Sequence, residues 1–126
     1  VGAGEAPRGT PDAIGLQMGS LFFDPQGADF TAWYSHFTNE GYRNWVVPQS
    51  VLFGYAKGHV SFEFIVERDG RVSVLRMTES SGTPAFDRAA QNALRSSRFL
   101  ALPADFAPAS LTLQVTFYYS EEPKDA

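Results

Sequence analysis

His36 and His59 are the only imidazoles in this 126-residue chain, and it contains no cysteine. A histidine can act as a base, a proton carrier or a metal ligand, but each task needs a carboxylate, a nucleophile or further ligands at a set spacing. Neither histidine has such neighbours in sequence, so each reads as a surface or capping residue. Ser80 and Ser81 could offer a nucleophilic hydroxyl, yet they lie in a Ser-Ser-Gly turn with no histidine placed beside them. Glu63, Glu67 and Glu79 share one predicted hairpin and read as solvated or paired charges rather than as an acid and its base. The run Lys57-Gly58-x-x-x-Phe62-x-Phe64 faintly echoes the aromatic strand of an RNA-reading sheet, whose exposed rings stack on bases. Against that reading, both Phe residues alternate into a predicted core and the net charge is -4, whereas nucleic acid wants clustered Lys and Arg. No catalytic constellation emerges, and the residues imply no enzyme, no metal, no cofactor and no nucleic-acid partner.

The elements that hold these residues are clearer than their chemistry. From Gly58 to Gly82 two alternating apolar runs flank Asp69-Gly70, a strong hairpin signal. A two-residue type I′ loop at Asp69-Gly70 would oppose Arg68 to Arg71, Phe64 to Leu75 and Phe62 to Met77. Phe62, Phe64, Val66, Leu75 and Met77 then share one face, while Glu63 pairs across to Arg76 and Ile65 lies beside Val74 on the other. Before the hairpin, Phe30, Trp33, Tyr34, Phe37, Tyr42 and Trp45 recur at steps that suit an amphipathic helix over about 29–46, with Asp29 as N-cap. Gly41 weakens its middle by about 1 kcal/mol relative to Ala, and Pro48 stops it. After the hairpin, Thr83 and Pro84 start a second helix that buries Phe86, Ala89, Ala90, Ala93 and Leu94. A proline-bearing crossing follows Phe99. The last strand places Leu111, Leu113, Val115, Phe117 and Tyr119 on one face and Thr112, Gln114, Thr116 and Tyr118 on the other.

Composition fits one soluble domain with a single core: 44% hydrophobic residues, 14% aromatics and no run near the roughly 20 apolar residues that cross a bilayer. Residues 1–15, rich in Gly, Pro and Ala, read as a flexible linker or tail, residues 16–120 as the domain, and 121–126 as a polar tail. Leu16 to Phe23, with its apolar cluster Leu21-Phe22-Phe23 ended by Asp24-Pro25, reads as a short edge strand or a docked arm. Pro48 and Gln49 open a connector that runs to Lys57 along an edge, where it could touch a partner.

The order helix, strand, strand, helix, strand assembles into an α+β fold. Its three-stranded antiparallel sheet has order 2-1-3, with two helices on one face. That order leaves Leu111 to Tyr119 at a sheet margin with neither charge nor proline, an edge of roughly 30 Å suited to an incoming strand. The alternatives are that the N-terminal arm, the connector or a second copy of the chain covers it.

The residues also carry a family pattern: Trp45, Pro48, Gly58-x-Val60-x-Phe62, Asp69-Gly70-x-Val72, Ser80-Ser81-Gly82, Phe86-Asp87, Ala89-Ala90, Ala93, Arg98-Phe99 and Pro103. In order and spacing, over about residues 42–119, this resembles the C-terminal domain of TonB-type energy transducers, a superfamily shared with TolA envelope-integrity adaptors. The lack of Cys sits nearer the TonB side. The resemblance implies a periplasmic domain tethered to the inner membrane through an N-terminal helix and driven there by a proton-channel complex. It also implies that the last strand pairs with the TonB-box peptide of outer-membrane receptors. The aromatic segment Leu21 to Trp45 is longer than the pattern requires, and either covers the core or occupies the edge.

Overall fold

The computed structural model describes residues 16–46 and 57–120. The linker at 1–15, most of the connector, including Pro48 and Gln49, and the tail at 121–126 lie outside the described residues. In chain order the elements are β1 (Leu16–Met18), α1 (Thr31–Arg43), β2 (Gly58–Glu67), β3 (Val72–Glu79), α2 (Pro84–Ser96) and β4 (Ser110–Tyr119). The class is α+β as expected, but the sheet has four strands, not three. Its order is β1-β4-β2-β3, every neighbour antiparallel. The inner order, β4-β2-β3, is the predicted one; the correction is the strand added outside β4.

Alternation along β2 and β4 separates two faces. Val60, Phe62, Phe64 and Val66 are at most 1% exposed, and Leu111, Leu113, Val115, Phe117 and Tyr119 at most 4%. Both helices cover this face: Phe37 of α1 stacks on Phe64 at 5.9 Å, and Phe86 of α2 stacks on Tyr119 at 4.1 Å. In α2 the small Ala90 and Ala93 are fully buried, which lets the helix lie close to the strands. Thr83 holds the N-cap position without a side-chain cap, and Pro84 opens the helix where its missing N–H costs nothing.

The first helix is shorter than its aromatic spacing suggested, 31–43 against 29–46. Asp29 precedes the N-cap, yet its carboxylate still accepts the Thr31 N–H at 3.0 Å. Gly41 is explained by a close approach, since a Cβ there would lie 2.9 Å from Met18 Sδ. Glu40, 8% exposed, accepts the Arg98 N–H at 3.0 Å and pairs with Arg43, tying α1 to the segment after α2.

The hairpin turn is corrected as well. Gly70 N–H donates to Glu67 O at 2.8 Å and Glu67 N–H to Arg71 O at 2.8 Å, so the loop has three residues and ends on Gly70 at φ +91°. A type I′ loop would need positive φ at Asp69 too, and Asp69 does not adopt it. The extra loop residue is offset by a register shift that leaves Ser73 unpaired, so Phe62↔Met77, Phe64↔Leu75 and Ile65↔Val74 occur as predicted. The bulge also sets Val72 opposite Val66 and against the core, where plain alternation would turn it outward.

Arg68 fastens the crossing that follows Phe99. Its guanidinium donates to Pro103 O at 3.0 Å and to the carbonyls of Phe106 and Pro108, while Leu102 N–H donates to Arg68 O at 3.0 Å. This planar fork gathers three carbonyls of the crossing, of which Pro103 O also accepts the Phe106 N–H at 3.0 Å.

Candidate protein-binding edge

Along its inner margin β4 pairs with β2 over its whole length, from Ser110↔Glu67 to Tyr119↔Gly58. Its outer margin is occupied too. Leu16, Gln17 and Met18 pair with Tyr119, Tyr118 and Phe117, Gly19 N–H donates to Thr116 O at 2.8 Å, and Phe22 exchanges two hydrogen bonds with Gln114 at 2.9 and 3.0 Å. The edge from Leu111 to Tyr119 is therefore not bare: of the alternatives, the N-terminal arm covers it, with residues 16–22 of the same chain lying along it from Gln114 to Tyr119. Leu16 and Leu21 supply the hold, being 0% and 8% exposed, and α1 seals the arm from outside. Tyr42 Oη accepts the Met18 N–H at 2.7 Å and Tyr34 Oη the Leu21 N–H at 3.3 Å.

These bonds show which way β4 points. The N–H and C=O of Gln114 and the C=O of Thr116 face the outer margin, toward whatever strand lies there. On the open face of the sheet Ser61 and Thr116 share a 2.7 Å hydrogen bond, and Tyr118, only 5% exposed, lies against the His59 ring at 5.6 Å. At the strand's end Tyr119 Oη accepts from Trp45 Nε1 and donates to Phe86 O, both at 2.8 Å, and burial pushes the phenol well above its ordinary pKa. This triad anchors β4 to α2 and to the segment that follows α1.

The remaining sequence candidates are not brought together. His36 Nε2 meets Arg98 O at 2.7 Å, while His59 lies 3.6 Å from Glu79. Ser80 and Ser81 turn to Asp87, whose carboxylate accepts Ser81 N–H at 3.0 Å, Ser81 Oγ at 2.7 Å and Ser80 Oγ at 2.5 Å. Burial would raise the Asp87 pKa, but these hydrogen bonds outweigh it and hold the group below its usual value. Glu63 pairs with Arg76 and Glu67 with Ser73. Phe62 and Phe64 are buried, so neither ring is available to stack on a base. Among the described residues no three His, Asp or Glu could hold a metal ion, and no helix is long and apolar enough to cross a membrane. Sequence reasoning offered an edge strand or docked arm in this region without fixing the Leu16–Met18 register, and missed the roles of Arg68 and Tyr119.

Comparison with known proteins gives this geometry a family. Residues 54–120, just over half of the chain, match the model of the Gram-negative bacterial TonB protein C-terminal. The Protein TonB of Haemophilus influenzae is 42% identical over 62 residues, which cover 48% of this chain and 23% of that protein. The chain thus spans less than a quarter of the length of this curated relative. Among solved structures, that of HasB CTD shares the fold, with a TM-score of 0.52 and 24% identity over 79% of this chain and 78% of that one. With its hairpin, α2 and β4 all inside the matched segment, the chain belongs to the TonB C-terminal family.

Proposed function

We propose that residues 16–120 form the partner-binding domain of a periplasmic TonB-like energy transducer. The full-length protein is tethered to the inner membrane by a helix upstream of this segment and coupled there to a proton-channel complex. The domain receives the TonB-box peptide of an outer-membrane receptor by strand addition to β4, and so passes work derived from the proton-motive force into substrate uptake.

The observation that carries this reading is that the outer margin of β4 already accepts an antiparallel strand, through Gln114 and Thr116, from residues of its own chain. An edge with neither charge nor proline accepts any extended main chain that can reach it, and a receptor peptide would take the place of residues 16–22. Exchange of one strand for another keeps the number of main-chain hydrogen bonds nearly constant, so selectivity falls to side chains.

The test uses a receptor-derived TonB-box peptide and its counterpart N-methylated at alternate residues, which cannot complete the main-chain ladder while the resident arm keeps its own bonds. The parent peptide should perturb the amides of 16–22 and 114–119 together, and the N-methylated peptide should bind at least about tenfold more weakly, the loss of one to two main-chain hydrogen bonds. Undiminished binding by the N-methylated peptide, or shifts that spare 114–119, would remove the β4 reading.

A further inference from the structure

The two margins of the sheet are finished differently. On the β1 side, tyrosine hydroxyls of α1 take the outward N–H groups of Met18 and Leu21. On the far side β3 is the last strand of the described sheet and pairs with β2 alone. Beside it runs a groove of about 840 Å³, between Arg71 to Leu75 and the end of α2, with Arg95, Arg98 and Phe99 on the opposite wall.

The helices stop short of covering this strand. Met77 is 37% exposed although its register partner Phe62 is 1% exposed, and Leu75 is only partly buried against the core. Shifts at Ser73 and Thr78 leave Val74 to Met77 as the regular stretch, long enough to seat a short strand. The face that such a strand would complete is apolar at its floor and cationic at its wall.

The cationic wall is not spent inside the domain. Asp69 in the same groove already pairs with Arg71 at 3.3 Å. Arg95 and Arg98 have no carboxylate within ion-pair distance among the described residues. The nearby carbonyls are also taken: Ala93 O by Ser97 Oγ, Arg98 O by His36, and Leu100 O by Trp33 Nε1. In a chain of net charge -4, two unmatched guanidinium groups flank the open strand.

We propose that the outer edge of β3 is a second docking site, for an extended acidic peptide segment of a partner protein. The segment pairs with β3 through its main chain, rests an apolar side chain on Leu75 and Met77, and sets carboxylates against Arg95 and Arg98. It needs no displacement of residues 16–22, and it stands or falls independently of what β4 binds.

The isotope-labelled full chain is titrated with a short peptide alternating Glu and Val, with its Gln-for-Glu counterpart, and with a form N-methylated at alternate residues. The expected result is amide shifts confined to 71–77 and 95–99, with affinity falling about tenfold in Arg95→Glu/Arg98→Glu and on removal of the peptide's charge. N-methylation should abolish binding. Both arginines are exposed, so the variant should keep its melting temperature, and Arg95→Ala/Arg98→Ala provides the milder change if charge reversal disturbs α2. Shifts at 16–22 and 114–119 instead, equal affinity for the Glu and Gln peptides, or undiminished binding by the charge-reversed chain would each overturn the proposal. So would an oligonucleotide that outcompetes the peptide, which would assign the arginines to phosphate.

Discussion

Gly70 is the residue on which the hairpin and the crossing after α2 meet. A Cβ at this position would lie 2.7 Å from Leu100 O and closer still to Phe99 O, and the backbone sits at φ +91°. Conformation and space exclude a side chain independently, so Gly70→Ala should cost about 2 kcal/mol or more. Thermal unfolding of the variant should show a melting temperature roughly 10 °C below the parent's. The glycine was legible from its place after Asp69, whereas its reason was not. A turn dipeptide announces a change of direction, but only the assembled fold brings the 99–100 backbone against it. Asp87 teaches the same lesson: Ser80, Ser81 and Asp87 stand out by spacing, and sequence does not say that one carboxylate takes three donors.

At the scale of elements, β2, β3, β4 and both helices are legible because each buries a face, and burial writes a period of two or 3.6 into the chain. β1 leaves no such trace. Three residues complete no period, and their place is set by contacts remote in sequence: the β4 margin and two tyrosines on α1. The same remoteness left cover by the N-terminal arm as one alternative among three for the predicted binding edge. Leu16 and Leu21 join the arm to the core, and its outward N–H groups rest on the two tyrosines. Tyr34→Phe/Tyr42→Phe removes the acceptors of the Leu21 and Met18 N–H groups while keeping both rings. Each lost bond weakens the arm by about 1 kcal/mol, so hydrogen exchange of the 16–22 amides should quicken roughly five- to thirtyfold. Amides in the middle of β2 should be unchanged; uniform quickening would show that arm and core open as one unit.

Across the whole molecule, two carboxylates tie the helical layer together. Glu40 binds α1 to the start of the crossing, and Asp87 binds α2 to the turn after β3. For both, burial raises the pKa, but hydrogen bonds, joined by Arg43 at Glu40, prevail and leave it below the ordinary values of 4.5 and 3.8. A carboxylate with a depressed folded pKa adds stability above its unfolded value, and that stability is lost as pH falls through the folded one. The domain should hold its urea midpoint from pH 7 down to about 5 and lose it progressively below the two ordinary values. Asp87→Asn should lower the midpoint at pH 7, by about 1–2 kcal/mol of stability, and flatten the acid limb. An acid limb as steep as the parent's would show that other groups govern it.

The place where β1 joins the sheet has a mechanical consequence. Leu16, the first described residue, pairs with Tyr119 at the far end of β4, and the next two pairs follow in single file. Tension arriving through the chain ahead of Leu16 would load these pairs one after another, as a zipper is opened, and would bare the β4 margin from Tyr119 toward Gln114. The longer β2–β4 ladder, ten pairs in register, lies behind it and would bear load only afterwards. In a domain pulled from its N-terminal side in a direction that peels β1, the shorter ladder is loaded first, so tension would bare the β4 atoms that now hold residues 16–22 before the β2–β4 ladder carries load.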